Sequence, residues 1–133
     1  MKISALCMLL PLSLSAFAAD CAKDFVTLKP AEKRMYARSI ASNLTKWQPP
    51  ANIHIERALR VANWTAVWAT PKEMETGVFF YSEGKGGLRF HDVWGGMAQP
   101  GDEASIEQWV RKLSSGVPAD LPRCFANAVV AGH

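Results

Sequence analysis

NIHIERALRVANWTAVWATPKEMETGVFFYSEGKGGLRFHDVW, residues 52–94, is the stretch whose reading decides the fold. Ile53, Ile55, Leu59 and Val61 fall on odd positions, against His54, Glu56 and Arg60 on even ones. A period of two puts apolar side chains on one sheet face and polar ones on the other. Arg57 breaks the apolar row, which marks a bulge or an exposed strand end. Ala62-Asn63 supplies a two-residue turn into residues 64–70, where Trp64, Ala66 and Trp68 share a face. Residues 71–76 open with a proline and are mostly polar, as a connection should be. Residues 77–81 follow, apolar on both faces like an inner strand. Residues 82–87, Ser-Glu-Gly-Lys-Gly-Gly, read as a glycine-rich hairpin tip before a last strand at 88–94. In that strand His91 and Asp92 are expected on opposite faces. The pattern predicts a four-stranded antiparallel meander.

Helical patterns flank it. Residues 30–44 start with Pro30, which the first turn tolerates, and carry Tyr36, Ala37, Ile40, Ala41 and Leu44 at three- and four-residue spacing. Lys33, Arg34 and Arg38 point elsewhere, as a solvated helix face would. Pro49 and Pro50 then hold an extended link. After the loop at Gly95 and Gly96, a helix begins at Asp102 or Ala104 with the stripe Ile106, Trp109, Val110, Leu113. A final helix, capped by Asp120, carries Leu121, Cys124, Phe125, Ala128 and Val129 inward. The expected fold class is therefore α+β: an N-terminal helix, a four-stranded meander, and two C-terminal helices packed on one sheet face.

The chain opens Met1-Lys2, runs apolar to Leu14 and reaches Ala16-Phe17-Ala18, the pattern of a secretory signal peptide. Residues 1–18 are read as that leader and 19–133 as a single domain of about 115 residues. Export to a periplasm, or secretion, is expected, with no membrane anchor. Loss of Lys2 lowers the formal charge from +3 by one, which gives no argument for nucleic acid. Cys7 leaves with the leader. Cys21 and Cys124 are then the remaining pair, and in an oxidising compartment they should form a disulfide. The rival reading is a reactive thiol beside His54 or His91.

Chemistry-bearing patterns are thin. His54, Glu56 and His91 have no ligand spacing typical of zinc, so neither a metal nor a cofactor is expected. Ser82 lies outside any nucleophile-elbow motif, and Glu83 with Asp92 offers only a generic carboxylate pair. The run 84–87 lacks the helix that a phosphate-binding loop precedes. No catalytic residue is assigned. Five tryptophans, Trp47, Trp64, Trp68, Trp94 and Trp109, serve a core, a glycan-stacking platform or an interface.

A small exported domain without catalytic pattern, closed by a disulfide and tipped by a hairpin, reads as a protein-binding module. Its expected role is an inhibitor or immunity protein that blocks a cell-wall-degrading enzyme or secreted toxin. The expected contact residues are Tyr81, Ser82, Glu83 and Lys85 on the tip, with His91, Asp92 and the Gly95-Gly96 loop beside them. The alternative is a periplasmic glycan or small-ligand module using a tryptophan-lined sheet face. A small hydrolase or metal protein ranks third.

Overall fold

The computed structural model describes residues 21–132; the leader read over 1–18, the cleavage region and His133 lie outside them. The fold is α+β. Five antiparallel strands run in the order β1-β2-β3-β4-β5: β1 Phe25–Val26, β2 Ile53–Val61, β3 Trp64–Pro71, β4 Gly77–Gly84 and β5 Gly87–Trp94. Helix α1 spans Pro30–Asn43, α2 Glu103–Arg111 and α3 Asp120–Val130, with a single 3-10 turn at Pro50–Asn52.

The sheet has one strand more than the periodicity indicates. β1 is two residues long, too short to show a period, and is fixed by pairing. Phe25 sits opposite Leu59, Val26 opposite Ala58, and Arg60 N–H donates to the Asp24 carbonyl at 2.8 Å.

Both sheet faces are covered. α1 lays Tyr36, Ala37, Ile40 and Ala41 on Ile53, Ile55, Ala58, Val67, Phe79 and Tyr81. α2 and α3 pack Ile106, Val110, Leu121 and Phe125 on Leu59, Trp64, Ala66, Trp68, Val78 and Phe80. The continuous apolar run of β4 follows from this, since neither face meets water.

Two bulges correct the expected faces. In β2 the register passes from Ile55↔Ala69 to Arg57↔Trp68, leaving Glu56 unpaired. Ile53 and Ile55 therefore face α1, whereas Leu59 faces α3: the odd-numbered row changes sides at the extra residue. In β5 the register passes from Phe80↔Asp92 to Tyr81↔Phe90, leaving His91 unpaired. Asp92 then shares the side of Phe80, and His91 stacks on Trp64 of that same face. His91 and Asp92 thus lie on one side, against the simple alternation.

Cys21 and Cys124 are disulfide-bonded with Cα atoms 5.3 Å apart, across a sequence separation of 103. The bond fastens the start of the described chain to the inward face of α3. Closing a loop of that length contributes about 4–5 kcal/mol in the chain-entropy account.

Candidate functional site

The residues singled out on the hairpin do not form one surface. Tyr81 is 1% exposed and faces α1, with its ring 5.1 Å from Tyr36 and 5.5 Å from Phe90. No contact of its hydroxyl meets hydrogen-bond geometry. Burial pushes its pKa up to about 12, with nearby Ser39 offsetting part of the rise. A partner cannot touch Tyr81 without unpacking α1.

Ser82 and His91 lie on the other face, and the structure brings them together. Ser82 Oγ is 2.7 Å from His91 Nε2, and the imidazole stacks on Trp64 at 4.2 Å between centroids. Burial, with Arg89 adding to it, lowers the His91 pKa, which favours the neutral ring. A serine on a neutral imidazole is the beginning of a nucleophile–base pair. Among the described residues, however, no carboxylate hydrogen-bonds the ring; the Trp64 indole sets its orientation. The pair was not legible at the sequence level, since the unpaired residue in β5 decides which side His91 takes.

Glu83 and Lys85 are exposed. The tip is tighter than the glycine run suggests: Glu83↔Leu88 and Gly84↔Gly87 still pair, so only Lys85 and Gly86 form the turn. Asn63 Nδ2 donates to the Glu83 carbonyl at 2.8 Å and the Glu83 N–H donates to the Asn63 carbonyl at 2.9 Å, which stiffens it further. Asp92 is exposed and accepts from the Val93 N–H at 2.8 Å. His54 sits on β2 and His91 on β5, three strand spacings or roughly 14 Å apart, too far to share one ion. Among the described residues no group of three or more His, Cys, Asp or Glu is placed to hold a metal.

The opposite end of the sheet carries the exposed apolar surface. Trp47 is 67% exposed, Met97 91%, Met74 46% and Val93 42%. Three grooves join them. The first, about 340 Å³, runs between Trp47, Gln48, Lys72 and Met74. The second, about 670 Å³, lies along Leu44, Met74, Phe79 and Val93. The third, about 360 Å³, lies between Trp68, Trp94, Val129 and Met97. Glu73 and Met74 line both the first and second; Thr76 and Gly96 line both the second and third.

This end is built, not loose. Gln48 Nε2 donates to the Lys72 carbonyl at 3.0 Å, and Lys72 N–H donates to the Asn52 carbonyl at 3.0 Å. Glu73 adopts φ +62°, a left-handed conformation that turns the chain and leaves Met74 outward. Thr70 Oγ1 donates to Glu56 Oε1 at 2.7 Å and lies 2.6 Å from Thr76 Oγ1, tying the β3–β4 turn to the β2 bulge. Gly77 is needed here because a Cβ on it would meet Val93 Cγ2 at 2.9 Å. Of the sequence signals, Trp47 in its proline-bounded link and the Gly95-Gly96 loop lie at this end, the loop being at the opposite end from the tip it was expected to flank. Met74, Val93 and Met97 became visible only once the strand ends were placed.

Such a surface supplies contact area, not covalent chemistry. Comparison with known proteins finds no matching family model, no matching curated protein and no matching solved structure.

Proposed function

We propose that the chain is a protein-binding module, acting as an inhibitor or immunity protein that blocks a cell-wall-degrading enzyme or secreted toxin. The observation that carries the reading is the gathering of Trp47, Met74, Val93 and Met97 at one end of a sheet already covered on both faces. With the core complete, these side chains keep large exposed areas beyond their local contacts, Val93 over Gly77 and Met74 Sδ with Gln48. Contiguous exposed apolar surface on a small domain marks a binding site, and tryptophan and methionine are enriched in such anchors. The exposed hairpin tip, with Glu83 and Lys85, lies at the far end and is a secondary contact. The disulfide is of the kind an exported protein forms, and among the described residues no helix is long and apolar enough to cross a membrane.

The alternative of a tryptophan platform on the sheet face loses ground. Trp64 and Trp68 are 3% and 5% exposed, so two of its three rings are core. The reading is tested by immobilising the oxidised protein and exposing it to bacterial envelope extract. A single enzyme retained at one-to-one ratio, with its activity inhibited, supports the proposal. The Trp47→Ala, Met97→Ser variant should lose that capture by tenfold or more at unchanged melting temperature. Capture that survives this variant, or no enzyme retained, contradicts it.

A further inference from the structure

Arg57 follows the β2 bulge and reaches into the groove beside the disulfide. Its guanidinium carbon lies 4.3 Å from the centre of the Phe25 ring and 4.6 Å from that of Trp68. These contacts occupy the faces of the guanidinium and leave its edge. Nε and Nη2 are shut off from solvent and have no hydrogen-bond partner among the described residues. The neighbouring Glu56 accepts from the Thr70 hydroxyl through Oε1 and makes no hydrogen bond to them. Charged donors buried without acceptors cost more than the ring contacts return, so an acceptor is expected there.

We infer that the groove binds the carboxylate of a small ligand with a short apolar tail, held side-on by Nε–H and Nη2–H of Arg57. Those two N–H groups are adjacent and parallel on one edge, the spacing that matches both oxygens of a carboxylate. Most of the remaining wall suits the tail: the Cys21–Cys124 disulfide, Phe25, Ala128 and Ala131 are apolar, Asn127 adds one amide, and no described lining residue is acidic. The groove holds about 230 Å³. That is roughly seven or eight water-sized groups at about 30 Å³ each, room for a short tail only. Access runs past exposed Ala22 and the half-buried Phe25 ring, which is carried on a two-residue strand; because the fork is closed to solvent, binding requires that ring to move aside. A free short-chain acid and the C-terminus of a peptide ending in small apolar residues share this chemistry.

The test is a titration of the ¹⁵N-labelled oxidised protein with hexanoate, with N-acetyl-alanyl-alanine and with hexylamine, following the Arg57 Nε–H resonance and tryptophan fluorescence. A saturable shift by at least one carboxylate, at a Kd of about 1 mM or tighter, and none by hexylamine, is the expected result. Response to hexanoate alone assigns a free acid; response to the dipeptide alone assigns a peptide terminus. Arg57→Met keeps the side chain's length and removes the fork, and should weaken binding about tenfold or more. Arg57→Lys, which keeps the charge without the parallel donors, should do the same. The inference is overturned if neither carboxylate moves the Nε–H resonance at about 10 mM, or if both variants bind as the parent does.

Discussion

Tyr81 carries a buried phenol hydroxyl that has Ser39 nearby but no contact of good hydrogen-bond geometry, while its ring packs between Tyr36 and Phe90. The ring belongs to the core and the hydroxyl is a burden on it. Tyr81→Phe should therefore leave stability at neutral pH unchanged or raise it by up to about 1 kcal/mol, measured by urea unfolding. The pH dependence follows from the raised pKa. An unfolded tyrosine ionises near 10, whereas Tyr81 in the fold holds its proton to about 12. Its share of stability is intact below about pH 10 and is lost as the pH rises towards 12. The variant should lose less stability than the parent across that window, and an equal loss would show that the hydroxyl is not shielded. Residue types point both ways here: Tyr81 stands in an apolar run, yet its place beside the tip made it an expected contact residue, and it is core. Its side of the sheet was not legible, because β4 is apolar on both faces and nothing in its residues says which helix covers which.

The elements were legible where a period ran long enough. Tyr36, Ala37, Ile40 and Ala41 in α1, and Leu121, Cys124, Phe125, Ala128 and Val129 in α3, are the buried stripes their spacing predicts. The strands were legible as strands but not as faces. One extra residue at Glu56 and another at His91 reverse the alternation, and a period-two row contains nothing that locates such an insertion. Arg57 is the visible trace of the first, and Asp92, the one break in the apolar row Leu88, Phe90, Trp94, is the trace of the second. β1 was illegible because two residues carry no period. At Gly77 two elements meet closely, with Val93 on β5 lying across it. Gly77→Ala should cost about 1 kcal/mol, since the overlap with a stiff valine outweighs the gain from a less flexible unfolded chain. Adding Val93→Ala should relieve most of that cost. If the double variant is no more stable than Gly77→Ala, some contact other than Val93 is responsible.

At the scale of the whole molecule, helices on both sides of one sheet and a terminal disulfide leave two ends free. One end is the tight Lys85-Gly86 turn, polar and braced by Asn63; the other is the grooved surface bearing Trp47, Met74, Val93 and Met97. The disulfide and the packing of helices on the sheet were legible from cysteine position and periodicity; that α1 covers the face opposite α2 and α3 was not. The apolar end was not, because it is assembled from residues 45–52, 71–77 and 93–98, which meet only after the strands align. A fold stabilised by its own double core can leave such a surface in water, and it makes sense as the place where another protein docks. Hydrogen–deuterium exchange of the protein with and without its captured partner tests this most directly. The account predicts slowed exchange across residues 45–52, 71–77 and 95–98, with the hairpin tip affected weakly. Protection confined to residues 82–92, with the apolar end exchanging as in the free protein, would contradict it.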